Sequence, residues 1–337
     1  MNLPLVSICT PTYQRPTLLR RTIKSVLAQT FSNFEMIISD NSEDDESAEV
    51  VRSFNDQRIR YHRNEKNIGN FNNIKQVANM AESPYFTVLM DDDLLKPQAL
   101  ELMLRVFAKH PSVGIVMAPM DLIDSNDRRI YPRFYLVRKM HYRYRYQVGD
   151  GFVDRAKILK DFLTRDYPCC VPSGLMYRTE AARLAGGFDT RSDFALDLDL
   201  DMRIAIRHDF YYIDQVLSSF RYTPVSLTSA MHSRGSNVAA FYYITRKILA
   251  DPDAMALFPA SQHKRLVRDS FFFCSCRALL LNGLAGVKTR NWKFVSESVR
   301  LIFREDPYLW NKLRLPAFVM REVLSSFPPP ARPLPKE

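Results

Sequence analysis

The sequence predicts an α/β protein whose mostly parallel sheet carries helices on both faces. Over the first 120 residues, short apolar runs alternate with segments of helical periodicity, which is typical of repeated strand–helix units. Several of these runs stop at proline or aspartate, residue types that end strands or begin turns. Ligands bind such sheets at the carboxyl ends of strands, so polar residues there are candidate functional residues.

The elements of this first part follow from the spacing of the apolar residues. Leu19, Ile23 and Val26, for example, recur at helical spacing. The predicted strands are Leu5–Thr10, Phe34–Ser39, Arg58–His62, Tyr85–Met90 and Gly114–Ala118. The predicted helices are Thr17–Gln29, Ser47–Phe54, Ile74–Met80 and Pro97–Lys109.

The periodicity weakens after residue 120, and the predicted elements become shorter. They are strands at Val171–Tyr177, Tyr211–Asp214 and Val216–Tyr222, and helices at Glu180–Ala185 and Leu200–His208. The sequence from Val238 onward predicts amphipathic helices. We therefore expect an α/β domain over residues 1–225, with halves 1–120 and 121–225, a helical region over 226–327 and a disordered tail at 328–337.

Composition excludes several classes of protein. The chain has 337 residues, of which 46% are hydrophobic and 25% charged, as in ordinary globular domains. No apolar run reaches the ~18–20 residues of a membrane span, and the N-terminus lacks the basic region of a signal peptide. The five cysteines lack metal-ligand spacing, so we expect a reducing cytoplasm as the compartment.

The net charge of +10 is unevenly distributed along the chain. Residues 128–145 contain seven Arg or Lys and no acidic residue, and the chain after residue 246 is also basic. Such asymmetry favours a polyanionic partner, which could be nucleic acid, a phosphorylated substrate or anionic lipid. A solvated face or an oligomer contact explains the charge equally well.

Three consecutive aspartates, Asp91, Asp92 and Asp93, follow the fourth predicted strand. Adjacent carboxylates repel each other unless a cation compensates, and oxygen ligands suit Mg²⁺ or Mn²⁺. A solvated turn or a helix cap is the alternative. Asp40 ends the second strand, where it either caps the following turn or accepts a hydrogen bond from a base or ribose. Tyr13 either stacks on a planar ring of a ligand or packs against the protein.

A second acidic cluster contains Asp197, Asp199 and Asp201, in an alternation with leucine that resembles a strand or loop with one acidic face. A carboxylate here could be the general base for a hydroxyl group, whereas capping of a helix N-terminus is the alternative. The sequence contains no metalloprotease helix motif, nucleophile elbow, dinucleotide fingerprint or P-loop.

Several motifs follow one another in an informative order. They are Val6–Arg15, Ser25–Phe31, Phe34–Ser42, Asn67–Gly69, Leu89–Leu94, Gly186–Asp189 and Asp197–Arg203. Together they resemble the motifs of family 2 glycosyltransferases with the GT-A fold, over about residues 5–223. The resemblance implies a Rossmann-like sheet flanked by helices, with a helical C-terminal extension. It also implies transfer of a sugar from a nucleotide-diphosphate donor, with UDP- or TDP-sugars favoured, to a hydroxyl group with inversion at the anomeric carbon.

The resemblance implies a role for each matching residue. The nucleotide sugar would be bound by Pro11, Thr12, Tyr13, Arg15, Asp40, Asn67, Asp91 and Asp92. The Mn²⁺ or Mg²⁺ cofactor would be held by Asp92 and Asp93. Asp197 would be the general base, with Asp199 as its rival because Leu196 replaces the glutamate that usually precedes the base.

The sequence also departs from the family pattern. Met90 takes the place of the first aspartate of the DxD motif, and Arg221–Thr223 lacks the histidine of the usual Arg-x-His, for which His232 is a speculative replacement. The Gln-x-x-Arg-Trp motif of processive synthases is absent, which favours transfer of a single sugar.

The basic C-terminal helices mix cationic and aromatic residues, as segments on anionic membrane surfaces do. Similar family members act on lipid-linked acceptors in bacterial surface-polysaccharide assembly. We therefore expect a glycan or lipid-linked acceptor, a cytoplasmic protein that binds peripherally to the inner face of the cytoplasmic membrane, and no nucleic-acid partner. A homo-oligomer interface is the alternative use of these helices.

Two other functions compete with this interpretation. A sugar nucleotidyltransferase would use similar substrates but normally has a glycine-rich basic loop, and Thr10–Arg15 contains no glycine. A non-enzymatic protein that binds polyanions or lipids would use the basic blocks, but it leaves the acidic clusters unexplained.

Overall fold

The computed structural model describes residues 4–130, 149–164, 172–222, 237–278 and 292–306. The chain divides into two compact units, one formed by residues 1–162 and 167–224 and the other by 163–166 and 225–337. His232, the predicted tail and most of the basic block at 128–145 lie outside the described residues. Within the described ranges, no helix combines the length and apolar character that are needed to cross a bilayer.

The first unit contains two sheets. In chain order the strands are β1 (Val6–Thr12), β2 (Phe34–Asp40), β3 (Ile59–Arg63), β4 (Tyr85–Val88), β5 (Leu94–Leu95), β6 (Val113–Met117), β7 (Met120–Ile123), β8 (Arg129–Ile130), β9 (Gly151–Val153), β10 (Leu175–Arg178), β11 (Asp209–Tyr212) and β12 (Ser218–Arg221). The large sheet has the order β3-β2-β1-β4-β10-β6-β11-β9, and the small sheet has the order β5-β12-β7-β8.

The large sheet is mostly parallel, as the sequence predicts. The pairs β1–β2, β2–β3, β1–β4 and β6–β11 are parallel, whereas β10 is antiparallel to both of its neighbours and β9 is antiparallel to β11. Every residue of β1 and β2 is buried, which is expected where helices cover both faces of a parallel sheet.

Among the described residues, the helices are α1 (Pro16–Leu27), α2 (Glu46–Arg52), α3 (Asn70–Asn79), α4 (Ala99–Lys109), α5 (Arg155–Thr164), α6 (Thr179–Leu184), α7 (Leu196–Ala205), α8 (Asn237–Ala250), α9 (Pro252–Ala256), α10 (His263–Ala278) and α11 (Trp292–Glu305). Short 3₁₀ segments lie at Pro172–Gly174, Thr190–Ala195 and Ala260–Gln262. α1 begins with proline, whose missing amide costs nothing in a first helical turn. Its buried residues Leu19, Ile23 and Val26 belong to one core cluster with Ile8 and Met36 of the sheet.

One local prediction is wrong, and one feature of the fold was not predicted. The alternating segment Asp197–Asp201 is not a strand or loop, because α7 already begins at Leu196. Leu196, Leu198 and Leu200 are all buried, so α7 packs on more than one face and does not show a simple amphipathic period. The small sheet was not predicted either, because β5 and β8 contain only two residues each.

The second unit is helical where it is described, as the sequence predicts for the chain after Val238. A cluster of Tyr242, Phe271, Cys274 and Ile302 joins α8, α10 and α11 through buried apolar contacts. α9 is capped by Asp251, whose carboxylate accepts hydrogen bonds from the backbone amides of the first turn.

Gly114 in β6 lies where α7 and the residues after it press closest to the sheet. A Cβ atom at this position would come within 2.6 Å of Cβ of His208 and 2.7 Å of Cγ2 of Ile204. Since neither contact is with the far end of a flexible side chain, Gly114→Ala should lower the free energy of unfolding by about 1–3 kcal/mol. Gly149→Ala is the control, because a Cβ there meets no atom of the described residues within 4 Å. Urea denaturation of both variants tests this, and equal midpoints would contradict it.

Candidate active site

The candidate site lies where β1, β2 and β4 end at one edge of the large sheet. β1 lies between β2 and β4, and Thr12 at its end pairs in register with Asp40 at the end of β2. β4 runs parallel to β1 and is followed by the turn that carries Asp91, Asp92 and Asp93. Polar residues that follow separate strands in the sequence therefore occupy one edge.

Asp91 and Asp92 share one cationic partner. Nη1 of Arg15 lies 3.3 Å from Oδ1 of Asp91 and 2.9 Å from Oδ2 of Asp92. Thr12 donates its hydroxyl hydrogen bond to the other oxygen of Asp91 at 2.8 Å. Burial and the neighbouring Asp92 charge raise the pKa of Asp91 to about 7, although Arg15 opposes this effect. Burial also raises the pKa of Asp92, whose side chain is 17% exposed and is the most accessible of the three.

Asp93 is fully enclosed, and both of its carboxylate oxygens accept hydrogen bonds. Ser173 donates its hydroxyl to Oδ2 at 2.5 Å, and the backbone amide of Arg221 donates to Oδ1 at 2.9 Å. Burial and the charge of Asp92 raise the pKa of Asp93 well above its ordinary value. This geometry suits Asp93 to supporting the turn more than to direct coordination of a metal, which would displace one of these bonds.

Side chains from other elements hold the aspartate turn in place. Thr22 in α1 directs its hydroxyl at the backbone carbonyls of Asp91 and Asp93, each at 2.9 Å. Arg221, which is 1% exposed, donates from Nε to the carbonyl of Asp92 at 2.8 Å. Its terminal nitrogens bind the carbonyl of Asp124 and the carboxylate of Asp127. Arg221 thereby connects the aspartate turn, β12 and the turn between β7 and β8.

Sequence reasoning did not assign Ser173 and Arg221 to the site. Arg221 stands in the strand where the family carries Arg-x-His, which was a usable signal. Ser173 gave no such signal, because it lies in a segment that was predicted only as a strand. Its hydroxyl also accepts a hydrogen bond from the amide of Met90 at 3.2 Å, so this serine contacts both ends of the turn.

Asp40 lies at the predicted edge, but its carboxylate is turned inward. Oδ1 accepts a hydrogen bond from the amide of Ser42 at 2.8 Å, and Oδ2 accepts one from the hydroxyl of Tyr61 at 2.8 Å. Burial and Asp40 together raise the pKa of Tyr61. The carboxylate of Asp40 therefore fixes the end of β2, which is the turn-capping role that the sequence left open.

The loop between β1 and α1 presents Tyr13 to solvent. Tyr13 is 42% exposed, while Pro11 and Thr12, the last two residues of β1, are buried. The amide of Gln14, which has a left-handed φ of 51°, donates to Oγ of Ser42 at 2.8 Å. This bond joins the loop to the end of β2 and leaves the Tyr13 ring available for stacking.

Asn67 lies apart from these contacts, in the exposed turn before α3. Its Oδ1 accepts a hydrogen bond from the amide of Gly69 at 2.9 Å. Gly69 has a φ of 82°, a left-handed conformation that glycine adopts without strain. In the described part of the structure, this local Asx turn explains why the motif has asparagine at its first position and glycine at its third.

The second acidic cluster divides into two kinds of carboxylate. Asp197 is half-buried in the first turn of α7, where Oδ1 accepts a hydrogen bond from the amide of Leu198 at 2.8 Å. Burial raises the pKa of Asp197 to about 6. Asp199 is fully buried and binds Arg203 through Nε at 2.9 Å and Nη2 at 2.6 Å.

Arg203 also binds the backbone of the turn at Gly186 and Gly187, and so connects Asp199 to that turn. Its Nη2 donates to the carbonyl of Gly187 at 2.7 Å, and its Nη1 donates to the carbonyl of Ala185. Gly186 and Gly187 both have positive φ, so this turn depends on glycine. Asp199 thus positions a turn, whereas Asp197 does not take part in that network.

The aspartate turn offers carboxylate oxygens, the kind of ligand that a divalent cation such as Mg²⁺ prefers. Among the described residues, no group of three or more His, Cys, Asp or Glu side chains forms a metal cage. Mg²⁺ commonly needs only one or two carboxylates together with phosphate oxygens and water. Asp92, as the accessible carboxylate with Asp91 beside it, meets that requirement.

Residues 7–184 match the family model described as glycosyl transferase family 2. Two curated relatives carry specific names. The putative colanic acid biosynthesis glycosyl transferase WcaA of Escherichia coli (strain K12) is 40% identical over 105 residues, which are 31% of this chain and 38% of the relative. The GalNAc(5)-diNAcBac-PP-undecaprenol beta-1,3-glucosyltransferase of Campylobacter jejuni is 33% identical over 106 residues, which are 31% of this chain and 34% of the relative.

The fold is also found in a solved structure. Residues 1–349 of S. aureus TarS, crystallised in complex with UDP-GlcNAc, superpose with a TM-score of 0.65 at 16% sequence identity. The superposition covers 91% of this chain and 83% of that one. The chain therefore has the GT-A fold that the sequence motifs predict, with a large mostly parallel sheet flanked by helices.

Ser173 offers a direct test of how the aspartate turn is held. Ser173→Ala leaves a buried Asp93 oxygen without its donor, so the free energy of unfolding should fall by about 1–3 kcal/mol. Ser218→Ala is the matched control, because Oγ of Ser218 is buried in β12 and has no hydrogen-bond partner in the described structure. It should leave stability unchanged or raise it slightly. Thermal unfolding distinguishes the two, and equal losses would contradict the role of Ser173.

Proposed function

The chain belongs to glycosyl transferase family 2, and we propose that it transfers one sugar from a nucleotide-diphosphate donor to an acceptor hydroxyl group with inversion at the anomeric carbon. The observation that carries the proposal is the accessible carboxylate of Asp92, at the sheet edge where Thr12 and the exposed Tyr13 also lie. Ligands of parallel α/β sheets bind at such an edge.

We propose that the donor is a UDP- or TDP-sugar. Tyr13 offers an exposed ring for the pyrimidine, with Pro11 and Thr12 forming the floor beside it. Asp40 fixes the end of β2 next to this loop. Its contribution to recognition of the base would be indirect, through the position of the loop. The complex of TarS with UDP-GlcNAc supports a nucleotide sugar as the ligand of this fold.

We propose that Mn²⁺ or Mg²⁺ binds with the donor at Asp92, with Asp93 supporting the turn from below. When bound, the cation stabilises the negative charge that develops on the leaving diphosphate. The chain contributes the position of the carboxylate, which Thr22, Ser173 and Arg221 fix through the backbone and through Asp93.

We propose that Asp197 is the general base that removes the proton from the acceptor hydroxyl. Its pKa of about 6 keeps it ionised at neutral pH yet basic enough to accept a proton. Asp199 fits this role less well, because Arg203 binds its carboxylate and would have to be displaced. A base separate from the diphosphate site agrees with a single displacement, in which the nucleophile attacks opposite the leaving group.

We propose that the acceptor is a lipid-linked glycan in bacterial polysaccharide biosynthesis, at the cytoplasmic side of the membrane. The names of the two curated relatives support this acceptor class, since one names an undecaprenol-linked acceptor and the other the biosynthesis of colanic acid. The excess of Lys and Arg after residue 246 is consistent with binding to an anionic membrane surface.

Donor turnover tests the role of Asp92. Nucleotide release is measured for a panel of UDP-, TDP- and GDP-sugars with Mn²⁺ or Mg²⁺, in the presence of a lipid-linked glycan fraction. Asp92→Asn should lower metal-dependent release from the preferred donor by about 10²-fold or more, because the charge on the leaving group is no longer compensated. Asp56→Asn is the control, since Asp56 pairs with Arg58 elsewhere in the first unit. Full metal-dependent turnover by Asp92→Asn would exclude it as the ligand.

The pH dependence of turnover tests the role of Asp197. A base must be deprotonated to act, so kcat/KM should rise about tenfold per pH unit below pH 6 and level off above it. Asp197→Asn should lower kcat by about 10²–10⁴-fold and abolish this acidic limb. An acidic limb that survives in Asp197→Asn and disappears in Asp199→Asn would identify Asp199 as the base instead.

A further inference from the structure

Arg15 is the cation that balances the aspartate turn in the structure. Its guanidinium lies 2.9 Å from Asp92 and 3.3 Å from Asp91, through the same Nη1 atom. Among the described residues, no other Lys or Arg forms an ion pair with these carboxylates. Arg221 also contacts the aspartate turn, but its guanidinium binds backbone carbonyls and the carboxylate of Asp127.

The two arginines differ in how firmly they are held. Arg221 is 1% exposed, and its guanidinium donates to the carbonyls of Asp92 and Asp124 and to the carboxylate of Asp127, so moving it would break hydrogen bonds to two turns at once. The Arg15 side chain is 39% exposed and approaches the carboxylates from the solvent side. It precedes Pro16 at the start of α1, and its backbone carbonyl accepts a hydrogen bond from the amide of Leu19. Within the described residues, its guanidinium pairs with Asp91 and Asp92 alone. Arg15 can therefore leave the carboxylates when another cation takes its place.

A divalent cation at Asp92 and the Arg15 guanidinium cannot both use the same carboxylate oxygen. A metal ion sits about 2.0–2.1 Å from its oxygen ligands, and two cations this close repel each other strongly. Binding of one must weaken binding of the other by the same factor. The diphosphate of a donor bound at this edge would then be the nearest anion for a displaced guanidinium, which matches phosphate oxygens well.

We propose that Arg15 is an exchangeable counter-ion, which pairs with Asp91 and Asp92 before the metal binds, yields Asp92 to the divalent cation and then pairs with the diphosphate of the donor. This inference rests on the proposed function, in its first step on the metal site at Asp92 and in its second step on the donor site. The first step concerns the chain and the metal alone, and it accounts for an arginine that is both ion-paired and exposed in a site built for cations.

The first step is tested by titrating Mn²⁺ into the nucleotide-free protein and measuring free Mn²⁺ by electron paramagnetic resonance. Arg15→Gln should bind Mn²⁺ about tenfold more tightly than the wild type, because the competing charge is gone. Arg15→Lys keeps the charge and should return the affinity towards that of the wild type. Arg58→Gln removes a similarly exposed arginine from its pair with Asp56 and should leave Mn²⁺ affinity unchanged.

The second step is tested by titrating UDP into the same proteins at saturating Mn²⁺. Arg15→Gln should bind UDP about tenfold more weakly than the wild type, although it binds the metal more tightly. Opposite signs in the two titrations are not expected from a variant that is simply misfolded. Circular dichroism and thermal unfolding of each variant verify the fold independently.

Equal or weaker Mn²⁺ binding by folded Arg15→Gln, including no detectable binding by any of the proteins, would overturn the counter-ion role. Tighter Mn²⁺ binding with unchanged UDP affinity would overturn the transfer of Arg15 to the diphosphate. Wild-type protein that binds Mn²⁺ but no UDP would instead contradict the proposed donor site. The Mn²⁺ titration of Arg15→Gln would then still decide the first step by itself.

Discussion

The burial of three consecutive carboxylates after β4 is the constraint on which the rest of the site depends. An isolated charge in the interior costs several kcal/mol, so every oxygen of this turn that is buried needs a donor or a cation. The structure meets this need with hydroxyls from Thr12 and Ser173, the amide of Arg221 and the guanidinium of Arg15. The pKa of each aspartate is nevertheless raised, because the effect of burial exceeds that of these contacts. A site in this condition favours the arrival of further positive charge.

The donors come from distant parts of the sequence, and this explains features of the fold. Ser173 and Arg221 lie 80 and 128 residues after Asp93. β12 pairs with β5 directly after the aspartate turn, so the small sheet brings the amide of Arg221 to Asp93. β10 enters the large sheet antiparallel beside β4, which places the preceding Ser173 under the turn. The antiparallel strand β10 of the large sheet and strand β12 of the small sheet thus support the site.

Much of this architecture could be predicted from local sequence, and the exceptions have physical reasons. The alternation of strands and helices up to residue 120 was sufficient to predict the parallel strands of the large sheet. Each apolar run there is long enough to identify a strand, and a proline or polar residue marks where it ends. The two-residue strands β5 and β8 are too short to carry a period. α7 was predicted to start late, since its leucines at every second position imitate a strand, although they are buried on several faces of a helix.

The candidate site was predictable in position but not in detail, for a related reason. Strand ends indicate where Thr12, Asp40 and Asp91 lie, because parallel strands end at a common edge. Whether a carboxylate faces the ligand or the interior depends on its partners. Asp40 binds Tyr61 and Ser42, and Asp93 binds Ser173, so these aspartates form the frame behind the site. Sequence spacing contains no information about such contacts until the strands are placed side by side.

The same distinction separates Asp197 from Asp199, although only one residue lies between them. On a helix, residues two apart point in very different directions, so Asp199 meets Arg203 one turn later and is withdrawn into an ion pair. That pair fixes the turn at Gly187, while Asp197 keeps a raised pKa that suits proton transfer. A helix that starts at Leu196 therefore withdraws Asp199 into an ion pair and leaves Asp197 outside that pair. A strand would have placed both on the same face.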